Sequence, residues 1–172
     1  MRRDLFQPTE EGQARLLLLI NSFSGKAEGL EGRTKLAKLD FLLRYPNFLR
    51  RALEIRAGGA VPSGLAEESE TIEERMVRYR YGPWDPAYFA LLGALIGKGL
   101  VMMVPGKRGV GYRTTPTGKK VATRLASSEP WRDTAARVRE LKTHFDLRGT
   151  TLKEFIYRHF PEVASATWGR RL

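Results

Sequence analysis

Lys107 and Arg108 stand side by side in Pro105-Gly106-Lys107-Arg108-Gly109, a run of turn residues with two cations at its tip. Arg113, Lys119 and Lys120 follow closely. Cations at this density neutralise phosphate oxygens, which gives an affinity that falls with salt and carries no base information. Residues 76–128 hold 9 Lys/Arg against Asp85 alone, a local charge of +8 within a chain total of +11. Charge concentrated in this way is the footprint a polyanion requires. Arg33, Lys35 and Lys38 form a second cationic row on an expected helix, pointed at solvent or phosphate. The DNA-binding set expected from sequence is therefore Lys107, Arg108, Arg113, Lys119, Lys120, Arg33, Lys35 and Lys38.

Residues suited to covalent or acid–base chemistry do not assemble in this way. No GxGxxG or Walker loop is present, and the order of Gly106, Lys107, Arg108 and Gly111 does not match a phosphate-binding loop. No HExxH, CxxC or EF-hand pattern occurs. The chain has no cysteine, which excludes disulfides and thiolate metal sites. His144 and His159 have no nucleophile or carboxylate placed beside them by sequence. Glu67, Glu68, Glu70, Glu73 and Glu74 follow a Gly/Pro-rich lead-in and read as a solvated linker. The expectation is a protein that is not an enzyme, with no catalytic residue, no metal and no cofactor. Apolar runs such as Leu16 to Ile20 fall far short of the roughly 20 residues that span a bilayer. Met1-Arg2-Arg3-Asp4 lacks the apolar core of a signal peptide. A cytoplasmic location without membrane contact is expected.

The elements that must position these residues are mostly helical. Glu10 to Phe23 reads as a helix with Thr9 as its cap and Leu16, Leu19, Ile20 and Phe23 inward. Residues 24–32 read as a loop. A second amphipathic helix runs from Arg33 to Tyr45 with Leu36, Leu39, Phe41 and Leu43 as its apolar surface, and Pro46 breaks it. Phe48, Leu49, Leu53 and Ile55 belong to a third. Met76 to Tyr81 alternates as a strand does, and Gly82-Pro83-Trp84-Asp85-Pro86 reads as a rigid turn with Asp85 as a cap. Tyr79, Tyr81 and Trp84 are read as packing rather than as base-stacking residues. Phe89, Leu92, Ile96 and Leu100 recur at helical spacing and predict one buried face. Leu100 to Val104 and Tyr112 to Thr115 read as strands flanking the basic turn, with Thr115 and Pro116 opening the next helix. Helices are expected over 116–127 and 130–146. A last helix spans Thr150 to Phe160 with Thr151 and Glu154 as a capping box. Phe155, Tyr157 and Phe160 are the candidate protein-interface residues.

Helix, strand, basic turn, strand, helix is the order of a wing. The expected fold is mainly α with small β wings, a winged helix-turn-helix architecture with additional C-terminal helices. Its divisions are a helical region at 1–57, a Gly/Pro-rich acidic linker at 58–75, a winged-helix unit at 76–128 and C-terminal helices at 129–172.

Three blocks carry a family resemblance: Gly32 to Pro46 (GRTKLAKLDFLLRYP), Arg78 to Pro86 (RYRYGPWDP) and Leu152 to Tyr157 (LKEFIY). Together they resemble the small middle component of bacterial three-component ABC-type systems, a set that includes Lamassu-type anti-phage defence. The resemblance runs from about Leu16 to Val163. It implies a non-enzymatic subunit that binds an SMC-like coiled-coil ATPase, in a complex with a separate effector such as a nuclease. The ATP site then belongs to the partner, and DNA is met through the complex without sequence preference. The alternative is a free-standing winged-helix transcription regulator. Against it, the helix before the wing carries Lys98 as its only charge, and Ala87, Leu91, Ala94 and Leu95 offer little to read base edges.

Overall fold

A computed structural model describes residues 8–58, 77–79, 82–84 and 87–165. The chain divides into two compact units, each assembled from two stretches of sequence: Met1–Arg33 with Pro86–Lys142, and Thr34–Asp85 with Thr143–Leu172. These units cut across the contiguous segments expected from sequence. Strand pairing and core burial join residues far apart in the chain, which local composition does not register.

In the first unit, helix α1 (Glu10–Ser22) begins at Thr9, whose hydroxyl accepts the Gly12 N–H at 3.1 Å. Glu10 and Glu11 in its first turn suit the positive end of the helix dipole. Leu16, Leu17, Leu18, Leu19 and Ile20 are all buried, so α1 is enclosed on every side rather than along one stripe. The 24–32 stretch, expected to be a loop, contains strand β1 (Leu30–Glu31). With β4 (Val101–Gly106) and β5 (Gly109–Thr114) it forms an antiparallel sheet in the order β1-β5-β4. Two glycines allow the close approach of β1 to β5. A Cβ on Gly29, which has φ +59°, would overlap the Tyr112 carbonyl, and one on Gly111 would overlap the Glu28 carbonyl. Thr114 locks β5 to α1, its N–H donating to Ser24 Oγ at 3.1 Å and its hydroxyl to Asn21 Oδ1 at 2.9 Å.

Helix α4 (Tyr88–Gly97) precedes the hairpin. Its buried face is Tyr88, Leu91, Leu92 and Leu95, not the expected row that begins at Phe89; Phe89 is 59% exposed. Both rows have helical spacing, and the apolar flanks of this helix do not say which one turns inward. Helix α5 (Pro116–Ser127) starts as expected, with Thr115 Oγ1 accepting the Gly118 N–H at 3.0 Å. Gly118 lies so close to the Leu100 carbonyl that a Cβ would overlap it. A 3₁₀ turn at Glu129–Trp131 leads into α6 (Arg132–Phe145).

In the second unit, α2 (Arg33–Arg44) and α3 (Pro46–Ala57) are separated at Tyr45, and Pro46 takes the first helical position of α3, where its missing N–H costs nothing. Strands β2 (Val77–Tyr79) and β3 (Gly82–Trp84) pair antiparallel, so Gly82 to Trp84 is a short strand rather than a turn. Of the linker expected at 58–75, Gly58 is the left-handed C-cap of α3, and the rest, together with the Asp85 cap, lies outside the described residues. Helix α7 (Gly149–His159) starts at Gly149, and its cap residue Arg148 makes no side-chain capping bond, so the expected capping box does not mark its start. A short α8 (Pro161–Ser165) follows. The core is aromatic: the Phe41 ring lies 5.1 Å from those of Tyr45 and Phe48, and Phe48 lies 5.1 Å from Phe160. The molecule is thus mainly helical with a small antiparallel sheet. Among the described residues no helix is long and apolar enough to cross a membrane.

Candidate nucleic-acid interface

The first unit gathers six of the eight expected cations. Residues 87–128 contain Lys98, Lys107, Arg108, Arg113, Lys119, Lys120 and Arg124 and no acidic residue. Lys107 and Arg108 form the two-residue tip between the paired Gly106 and Gly109, and both are exposed. Lys119 and Lys120 are exposed on the first turns of α5, with Arg124 one turn further along the same face. The hairpin separates tip from base by about 17 Å, taking roughly 3.3 Å per strand residue. Two cationic groups therefore stand at its two ends, a spacing suited to a polyanion backbone rather than to a compact anion.

Arg113 is half-buried. Its stem packs against Gly29, and its Nε is buried without a hydrogen-bond partner among the described residues. It is a less extended cation than the tip pair. Lys98 donates to Gln13 Oε1 at 2.7 Å and ties the end of α4 to α1. Arg33 stands toward the tip, because β1 runs antiparallel to β5 and Gly32 N–H donates to the Val110 carbonyl at 3.0 Å. Its guanidinium sits 4.7 Å from the centroid of the Phe89 ring, a cation–π arrangement.

Sequence reasoning did not single out Glu31. Its carboxylate accepts the backbone N–H of Arg108 in the hairpin tip. A Cβ on Gly106 would lie 2.8 Å from Glu31 Oε1, so the carboxylate rests directly on the turn. Nothing local announces this contact, since Glu31 is separated from Arg108 by 77 residues.

The remaining two expected cations belong to the second unit and do not behave as expected. Lys38 is 1% exposed. The expectation that it faces solvent or phosphate is corrected: α2 buries every residue from Leu36 to Leu43, so no polar side of the helix remains there for Lys38. Burial, with a smaller contribution from the like charge of Lys153, lowers its pKa from 10.5 to about 8. Lys35 is bonded to Asp146 at 2.8 Å and is largely covered, so its charge is already matched within the protein. Asp40, wholly buried on the same helix, lies 4.0 Å from the Arg44 guanidinium.

The expected interface aromatics do not form one exposed patch. Phe160 is wholly buried and is corrected to a core residue; its ring packs on Phe48 because the chain turns inward between α7 and α8. Phe155 is half-buried, 5.3 Å from the Phe145 ring and 4.6 Å from His159. Tyr157 is half-buried with the Lys153 ammonium 5.8 Å from its ring centroid. Arg51 covers Phe48 and Phe160 and bonds Glu162 at 2.5 Å. The guanidinium holds the Glu162 carboxyl below the usual range, against a desolvation effect of opposite sign. In the first unit the exposed residues of α4 are Phe89, with Arg33 over its ring, and Gly93 and Gly97, one above another at spacings of four, and none is charged. No added Cβ at Gly93 or Gly97 would meet another atom.

Among the described residues no group of three or more His, Cys, Asp or Glu is arranged to hold a metal ion. No protein-family model matches this chain, and no curated protein or solved structure is significantly similar to it.

Proposed function

We propose that this protein is a non-enzymatic accessory subunit of an SMC-like ATPase complex in bacterial anti-phage and anti-plasmid defence. In this reading it works in the cytoplasm, bridges the ATPase and an effector such as a nuclease, and lends a basic surface close to DNA. The first unit is read as a winged helix. The order α1, β1, α4, β4, basic tip, β5 and the sheet order β1-β5-β4 support that reading.

One observation carries the choice between subunit and free-standing regulator. The exposed residues of α4 are Phe89, Gly93 and Gly97, none of which carries a hydrogen-bonding side chain. A helix that reads base edges presents Arg, Asn, Gln or Lys to the major groove. An exposed aromatic among small residues is the composition of a protein contact, where rings anchor and glycines admit a close neighbour. The cations lie off this helix, on the hairpin and α5, where they meet phosphates without reading sequence.

Co-expression with a neighbouring coiled-coil ATPase tests the proposal. The expected result is copurification of the two proteins and weak, sequence-indifferent DNA binding by this one alone. A symmetric dimer that footprints one sequence and keeps its grip at about 200 mM salt would overturn the proposal in favour of a regulator.

A further inference from the structure

The hairpin tip has an unusual requirement. Lys107 and Arg108 are the two central residues of a two-residue loop, and the structure has no non-glycine residue at positive φ among those described. Two-residue hairpin loops fit the twist of their strands best with positive φ at a central position. Here the departure is taken up next door, where Gly109 has φ +144°. The Arg108 N–H lies in the tip, outside the paired residues, and is met by the Glu31 carboxylate. Glu31 is in turn fixed by the pairing of β1 with β5, opposite Gly111, and it lies against Gly106. The side chains of Lys107 and Arg108 make no hydrogen bond or ion pair with any described residue, so the orientation of both cations rests on the backbone of the turn.

We propose that Glu31 is a positioning residue for the polyanion-facing tip: its carboxylate clamps the Arg108 amide and thereby holds Lys107 and Arg108 in the geometry that meets a phosphate backbone. This rests on the reading of the hairpin as a DNA-proximal surface. The proposal has a sign that simple electrostatics does not share. An acidic group beside a cationic tip repels phosphate, so charge alone predicts that any neutral replacement of Glu31 strengthens binding. A clamp predicts that only a replacement able to accept the same hydrogen bond does so.

The test compares Glu31→Gln with Glu31→Ala in the full chain, using a short duplex of mixed sequence at low salt. Gln keeps an acceptor oxygen and should bind as tightly as the unsubstituted protein, or more tightly. Ala removes the acceptor, and binding should weaken on the order of three- to tenfold, the scale of one hydrogen bond lost from an ordered contact. Hydrogen exchange at the Arg108 amide, followed by NMR without DNA, reads the clamp directly. It should accelerate in Glu31→Ala and stay near the parent rate in Glu31→Gln. Equal gains in affinity for both variants, or an Arg108 amide indifferent to Glu31→Ala, overturn the proposal. Failure of the unsubstituted protein to bind duplex at all rejects the DNA-proximal reading and the positioning role with it, even where the exchange data confirm the clamp.

Discussion

Replacing Lys38 with methionine should change how stability depends on alkaline pH. Lys38 is 1% exposed on α2, and its ammonium is disfavoured first by burial and then by the charge of Lys153. Its pKa falls from 10.5 to about 8 on folding. Below about pH 8 both folded and unfolded chains carry the proton, and the fold bears the full cost of a buried cation. Between about 8 and 10.5 the folded chain has released the proton while the unfolded chain keeps it, so stability rises with pH across this window. At 1.36 kcal/mol for each unit of pKa difference, the rise amounts to about 3 kcal/mol. Methionine has a similar length and no charge, so the variant lacks this rise. The stability of Lys38→Met relative to the parent should therefore fall by about 3 kcal/mol from neutral pH to the top of the window. Any constant offset from altered packing cancels from that trend, as do the titrations the two proteins share. Urea unfolding of both proteins at a series of pH values measures it. A difference that stays constant from pH 7 to above 10 would show that Lys38 does not release its proton early in the folded chain. Lys153→Met should raise the lower edge of the window, since one of the two causes of the lowered pKa is then gone.

Charge reversal of Lys107 and Arg108 together should weaken duplex binding uniformly across sequences and flatten its salt dependence, as titrations at several salt concentrations will show. Gly118→Ala should lower the unfolding free energy by about 1–3 kcal/mol, because the added methyl overlaps the Leu100 carbonyl; thermal melts followed by circular dichroism read it. Phe89→Asp should leave the melting temperature nearly unchanged, given the ring's exposure of 59%, and should abolish copurification with the ATPase. A folded variant that still copurifies places the contact elsewhere.

Much of the local structure follows from neighbouring residues alone. Thr9 and Thr115 cap α1 and α5, and Pro46 ends the helix before it, because capping and proline geometry act over three or four residues. The basic turn at Lys107 and Arg108 was legible for the same reason: adjacent glycines and a register set by the turn close the β4–β5 hairpin locally. Which faces turn inward and which distant groups meet depends on long-range packing. Helical spacing in α4 fits a row beginning at Phe89 as well as the observed one of Tyr88, Leu91, Leu92 and Leu95, and the choice belongs to the neighbours that cover it. Lys38 sits in a helix whose pattern suggested a polar side, but packing encloses the stretch all round and turns an apparent surface cation into a buried one with a lowered pKa. Phe160 has the residue type of a surface anchor, but its ring is buried against Phe48. Glu31 carries no local signal at all: a carboxylate takes its role from the amide it reaches, and β1 pairing brings it to Arg108 across 77 residues.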